Sequence, residues 1–248
     1  EKAILGSKID PETLDYIIFA HNLGNVKQNT IQSDAVPSLA SRVKQKLRIK
    51  NPKCVAYDVL LGCPGWIEGV IHATAFIKAG MEKKCMVIGA ETLSRVVDIH
   101  DRDSMIYSDG AGATIIEATE DEGGILSVSS ATFATDEADY LFFGNSFNKD
   151  LDQDVRYIKM LGRKIYEFAL IEVPKAMASC LEESGISISD VKKVLIHQAN
   201  EKMDEAIVHR FFKLYNQVPP IGVMPMSIHK LGNSSVATVP TLYDLLVK

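Results

Sequence analysis

Three short breaks of small and polar residues, each following an apolar run, constrain this chain more than any other feature. They are Gly62-Cys63-Pro64-Gly65-Trp66, His197-Gln198-Ala199-Asn200 and Gly232-Asn233-Ser234-Ser235. An apolar run that stops at small residues and resumes with helical spacing marks a passage from buried strand to helix. Strand-like and helical stretches alternate throughout, which commits the chain to an α/β class with functional side chains gathered at strand ends.

Tyr16 to Ala20 is a continuous apolar run and reads as a buried strand. Ser38 to Leu47 reads as an amphipathic helix, and Val55 to Leu60 as a strand ending at the cysteine fragment. Pro64 to Ala79 then forms a helix, with proline in its first turn and Gly80 closing it. Met86 to Ala90 and Ala113 to Glu117 are expected strands, separated by the turn Ser108-Asp109-Gly110-Ala111-Gly112. That turn lacks the Lys-Ser/Thr of a P-loop and the full G-x-G-x-x-G, so it supports a site and cradles no nucleotide.

Asp136 to Asp154 has no clean period and reads as a loop, followed by a long helix over roughly Val155 to Ser184, interrupted near Pro174. Val194-Leu195-Ile196 is an expected strand into His197, Glu201 to Leu214 an expected helix, and Pro219-Pro220 a connection. Leu14 to Phe19 can be laid on Val191 to Ile196, and Gly62 to Gly65 on Gly232 to Ser235. A duplicated βα unit would set Cys63 and Asn233 at equivalent helix entrances, facing each other. At the ends, Glu1 to Leu5 reads as late helix capped by Gly6, and Leu242 to Lys248 runs on without a helix-ending signal. The chain therefore reads as part of a longer one.

Composition narrows the classes. With 248 residues, 46% of them hydrophobic, the chain can bury one large core or two smaller ones. A net charge of -5 argues against nucleic acid as a partner, since phosphate neutralisation needs a basic surface. No apolar run approaches the ~20 residues that span a bilayer. Cys54, Cys63, Cys85 and Cys180 form neither a zinc pattern nor a disulfide framework, so a reduced, cytoplasmic setting is expected. His21, His72, His100, His209 and His229 lack metal-ligand spacing, and no metal is assigned.

Cys63 stands between a strand and a helix, where unpaired N–H groups and the helix dipole favour a thiolate. Its local sequence fits a nucleophile and a buried structural cysteine equally. His197 emerges at a strand end, and Asn233 at a helix start, where an N-cap role is compatible with a site role. Thiol, imidazole and carboxamide together suffice for acyl transfer through a cysteine thioester. Gln198 and Asn200 read as loop braces. Lys202, His209 and Lys213 fall on one helical face with Arg210 adjacent, a basic patch diluted by Glu201, Asp204 and Glu205.

Five stretches now carry a resemblance. Tyr57 to Trp66, Val87 to Glu91, Asp101-Arg102-Asp103 with Ser108 to Ala113, His197 to Asn200 and Gly232 to Ser235 resemble, in this order, β-ketoacyl-ACP synthase III of the thiolase superfamily. The resemblance covers the whole chain. It implies a thiolase-like fold, a duplicated α-β-α-β-α five-layered architecture, with halves over 1–120 and 121–248. It implies Cys63 as the nucleophile that takes an acyl group from acyl-CoA, and His197 and Asn233 as the pair that holds the malonyl-ACP thioester for decarboxylating Claisen condensation. It further implies no cofactor, a homodimer, and acyl carrier protein as the partner met by Lys202, His209, Arg210 and Lys213. Gly62, Pro64 and Trp66 stand where the family usually has Ala, Ser or Ala, and Phe, departures that bear on acyl-chain preference. Two other readings stay open: a related ketosynthase or acyltransferase of secondary metabolism, and a non-catalytic partner subunit of the same fold.

Overall fold

The computed structural model describes residues 1–30 and 32–247; Lys248, the last residue of the uncapped C-terminal run, lies outside them. The first part of the chain gives α1 (Lys2–Ser7), β1 (Tyr16–His21), the short pair β2 (Asn25–Val26) and β3 (Ser33–Asp34), α2 (Leu39–Lys46), β4 (Val55–Leu60), α3 (Gly65–Lys78), β5 (Lys84–Thr92) and β6 (Asp109–Glu117). Four strands form one sheet in the order β4-β1-β5-β6. β1 runs parallel to both β4 and β5, and β6 is antiparallel to β5.

The period-2 geometry of a strand explains the layering. Ile17, Phe19, Met86 and Ile88 point to one face and pack with Ala40 and Val43 of α2. Ile18, Cys85 and Val87 point to the other and meet Trp66, Val70 and Ala73 of α3. Covering β1 on both faces requires the continuous apolar run read in its sequence. Each fully buried Ile or Val contributes roughly 1.5–3 kcal/mol by leaving water, which makes β1 the strand on which the sheet is hung.

Polar side chains fix the helix entrances. Asp58 accepts hydrogen bonds from Leu39 N at 2.7 Å and Ala40 N at 2.8 Å, satisfying the first amides of α2. His21 Nδ1 accepts from Gly24 N at 2.8 Å, so its proton sits on Nε2, 3.1 Å from Asp58 Oδ2.

The chain continues through β7 (Leu141–Gly144), β8 (Tyr157–Met160), α4 (Gly162–Ser184), α5 (Glu201–Lys213), α6 (Ile228–Leu231) and α7 (Thr238–Val247). Several expectations are corrected here. The segment read as a loop contains β7, which pairs with β8, and β8 in turn shortens the following helix to a start at Gly162. Four-residue strands are too short to show a period, and only their mutual pairing defines them. Pro174 lies buried inside α4 without ending it; the apolar seam of Ala169, Leu170, Val173 and Met177 against α5 outweighs one lost backbone bond. Asp109 to Gly112, expected as a turn, is the first half of β6. Its glycines mark close packing: a Cβ on Gly110 would lie 2.6 Å from Ser234 Cβ, and one on Gly112 2.6 Å from Pro240 Cβ.

Val194-Leu195-Ile196 is not a strand. Among the described residues it joins no ladder; Val194 N donates to Val223 O at 2.8 Å. The cap of α1 is Lys8 in the left-handed region, and Gly6 lies within the helix.

One buried ion cluster ties β8 to the sheet side. Lys159 Nζ lies 2.7 Å from Asp98 Oδ2 and 2.9 Å from Asp101 Oδ2, and Asp98 also accepts from Ser146 Oγ and Phe147 N. Burial would push Asp98 up, but Lys159 and these donors hold it at about 2. Lys159→Met strands two carboxylates. It is expected to destabilise the full-length protein by roughly 3–5 kcal/mol in urea unfolding; a loss no larger than a surface pair gives, about 1 kcal/mol, would contradict this account.

Candidate active site

Cys63 lies three residues past the end of β4 and two before α3 begins. Its Sγ is 3.5 Å from the Ser235 hydroxyl, so the first and third sequence breaks meet in space. The contact exists because the chain from Gly232 to Ala237 is seated on the sheet. Gly232 turns with φ of 68°, a conformation costly for other residues. Asn233 N then donates to Ile106 O at 2.7 Å, and Ser108 N donates to Asn233 O at 2.9 Å. Tyr107 and Asn233 form a parallel bridge there.

Asn233 is buried, and its Oδ1 accepts from Ser235 N at 2.9 Å. With the carbonyl oxygen committed, the Nδ2 side of the amide is the free donor. The second break closes the group. His197 stands against the Cys63 thiol and the Ser235 backbone. Burial alone would raise the Cys63 pKa, yet the charge and hydrogen bond of His197, joined by Ser235, bring it down to about 7. Burial lowers His197 in the same way, and Cys63 with Asp204 more than reverses it. Each partner favours the charged form of the other, and the thiol is nucleophilic near neutrality.

The neighbouring residues act as supports. Gln198 is fully buried; its Nε2 donates to Pro225 O at 2.7 Å, and its Oε1 accepts from Ser227 N and Ile228 N. Asn200 caps α5 through Met203 N at 3.2 Å. Both brace loops, as their sequence suggested. Trp66 packs into the core between α3 and the sheet, with Ile18 and Val87. Lys202, His209 and Lys213 are exposed on α5, well placed for a basic face, while Arg210 Nη1 donates to Leu170 O at 3.0 Å.

Asp204 was read as part of that exposed face, and the structure corrects this. It is fully buried, on the apolar side of α5 with Met203, Ile207, Val208, Phe211 and Phe212. The sequence held the signal: Asp204, Val208 and Phe212 are spaced i, i+4, i+8, the stripe that faces a core. Tyr107 was also missed. Burial, then the nearby Cys63, push its phenol up to about 12, so it remains a neutral donor, 3.8 Å from Met160 Sδ. Among the described residues no cluster of three His, Cys, Asp or Glu side chains could hold a metal ion, and no helix is long and apolar enough to cross a membrane.

Comparison with known proteins places this arrangement in context. Residues 57–134 match the family model described as 3-oxoacyl-(acyl-carrier-protein) synthase III. A β-ketoacyl-(acyl-carrier-protein) synthase III of Acholeplasma laidlawii is 31% identical over 248 residues, covering 98% of this chain and 70% of the relative. One of Erythrobacter litoralis is 28% identical over 248 residues, covering 100% and 72%. The crystal structure of 3-oxoacyl-(acyl-carrier-protein) synthase III from Aquifex aeolicus superposes with a TM-score of 0.80 at 30% identity, covering 99% of this chain and 71% of that one.

The electrostatics make one prediction. Removing the imidazole leaves burial to act on the thiol, so His197→Ala should move the pH midpoint of Cys63 alkylation upward from about 7 and slow alkylation at neutral pH. An unchanged midpoint would show that His197 does not set the thiol's acidity.

Proposed function

We propose, for a chain that belongs to the β-ketoacyl-(acyl-carrier-protein) synthase III family, that Cys63, His197 and Asn233 divide the family's reaction between them. The fold is thiolase-like, and the activity is the acyltransferase-type condensation that initiates fatty-acid biosynthesis. The observation that supports the assignment is the 3.5 Å approach of the Ser235 hydroxyl to the Cys63 sulfur, with His197 beside the same thiol and Asn233 held to Ser235 N.

Cys63 attacks the thioester carbonyl of an acyl-CoA as its thiolate, and CoA leaves as the thiol by taking the proton of the paired His197 imidazolium. The α3 N-terminus faces the carbonyl oxygen during that attack, with the Cys63 N–H as a donor. The malonyl thioester of the carrier protein then enters between His197 and Asn233. Its carboxylate departs as carbon dioxide, and the electron pair left behind is delocalised onto the thioester oxygen. Asn233 Nδ2 and the His197 imidazole N–H donate to that oxygen, stabilising the enolate where charge develops. The enolate carbon attacks the acyl-Cys63 carbonyl, and the thiolate is expelled and restored beside His197. Lys202, His209 and Lys213 are assigned to the acidic carrier protein, whose approach long-range attraction would favour. A homodimeric, cytoplasmic enzyme is part of the same reading.

Intact-mass measurement of the full-length protein after incubation with a panel of acyl-CoAs tests the nucleophile. An acyl adduct should map to Cys63 and be absent from a folded Cys63→Ala variant; an adduct on that variant would refute the assignment. Asn233→Ala should slow malonyl decarboxylation by about 10²–10³-fold, the usual cost of one oxyanion donor, while acyl loading stays near wild type. Equal losses in the two half-reactions would remove Asn233 from its proposed role.

A further inference from the structure

Two consecutive serines end the third sequence break, and the structure gives them different tasks. Ser234 pairs its hydroxyl with Thr238 Oγ1, at the start of α7, at 3.4 Å. Ser235 is buried and brings its hydroxyl to 3.5 Å from Cys63 Sγ. Its backbone N–H meanwhile donates to Asn233 Oδ1 at 2.9 Å. Ser235 also holds a φ of 52°, in the left-handed region that residues with a Cβ rarely adopt. Glycine would sit there without strain, so a serine at this place argues for a use of its side chain.

We propose that Ser235 is a further catalytic residue, its hydroxyl donating a hydrogen bond to the Cys63 sulfur whenever that sulfur carries charge. The proposal deepens the reading of the active site and rests on Cys63 being the nucleophile. An ionised sulfur has no proton to give, so the hydroxyl is the donor of this pair. A hydrogen bond to a charged acceptor is stronger than one between neutral groups, and it therefore favours thiolate over thiol. The bond serves twice. In the resting enzyme it holds the thiolate ready for the acyl thioester. In condensation the bond between sulfur and the acyl carbon breaks and its electron pair returns to sulfur, where the hydroxyl meets the developing charge. Ser235 keeps its own proton throughout.

The backbone explains how the hydroxyl is aimed. Asn233 accepts from Ser235 N across one residue, a turn that asparagine side chains form with their own chain, and the left-handed φ completes it. The titratable groups facing the sulfur are His197, just before α5, and Tyr107, just before β6. Asp204 acts on His197 in turn and raises its pKa. Tyr107 stays neutral, with its phenol pushed up to about 12. The imidazole contributes a charge that is lost when the ring gives up its proton. The serine hydroxyl contributes a dipole that does not titrate in this range, so its support of the thiolate persists when the imidazole is neutral.

The test compares full-length wild type with Ser235→Ala and Ser235→Gly, and takes Ser234→Ala as a control. Iodoacetamide labelling of Cys63, read by peptide mass across a pH series, gives the alkylation midpoint. Both Ser235 variants should raise it by about one pH unit, the equivalent of one hydrogen bond to a charged group, and Ser234→Ala should leave it at about 7. Acyl loading at neutral pH, and single-turnover condensation by preloaded enzyme, should each slow by up to about tenfold. Thermal stability separates chemistry from backbone strain. Glycine accommodates the φ and alanine does not, so the two variants should differ in stability while agreeing in midpoint and rates. A midpoint or a condensation rate unchanged in both variants overturns the proposal. So does a midpoint raised in Ser235→Ala and restored in Ser235→Gly, which would follow strain alone, or an equal rise in Ser234→Ala. Failure of the wild-type protein to load acyl groups on Cys63 would instead overturn the reading of the active site, and leaves the labelling comparison interpretable.

Discussion

A thiol taken out of water holds its proton more tightly, and the site depends on reversing that tendency at Cys63. Burial acts against the thiolate, and the imidazole of His197 acts for it, with the Ser235 hydroxyl at 3.5 Å in support. This balance requires three distant pieces of chain to be held together. β1 anchors the sheet that ends in Cys63; the capped start of α5 holds His197; and the Gly232 turn lays Asn233 against the strand-like segment at Ile106 to Ser108. Loss of any anchor would return the thiol to the acidity that burial dictates. The fold is therefore read most economically as a device for keeping one imidazole beside one sulfur.

What the sequence made legible follows from periodicity. β1, β4, α2, α3 and α5 sit within a residue or two of their expected bounds, because each is long enough for apolar spacing to repeat. Cys63, His197 and Asn233 stood out as candidates because each interrupts such a pattern at a boundary. The failures have different physical origins. Asp109 to Gly112 looked like a turn because glycine is ambiguous between flexibility and close approach; here Ser234 and Pro240 occupy the space a side chain would need. β7 and β8 are defined only by each other. Asp204 was discounted because charge outweighed position in the reading, although its spacing with Val208 and Phe212 placed it inside.

The two buried aspartates show why position alone does not decide what a carboxylate does. Asp98 accepts from Ser146 Oγ, Phe147 N, His100 N and the Lys159 ammonium, and is held at about 2. Held there, it is ionised near neutrality and can keep β8 in place as a fixed charge. Asp204 has no lysine beside it, and burial carries it to about 7 against the pull of His197 and the Ala199 and Asn200 N–H groups. Its state responds to His197, to the Ala199 and Asn200 N–H groups and to Glu201. A carboxylate surrounded by donors is a strut, because its charge is fixed. One set among apolar groups with few donors is brought close to neutrality, where its protonation can change with its surroundings. The contrast lies in the number and kind of donors each meets.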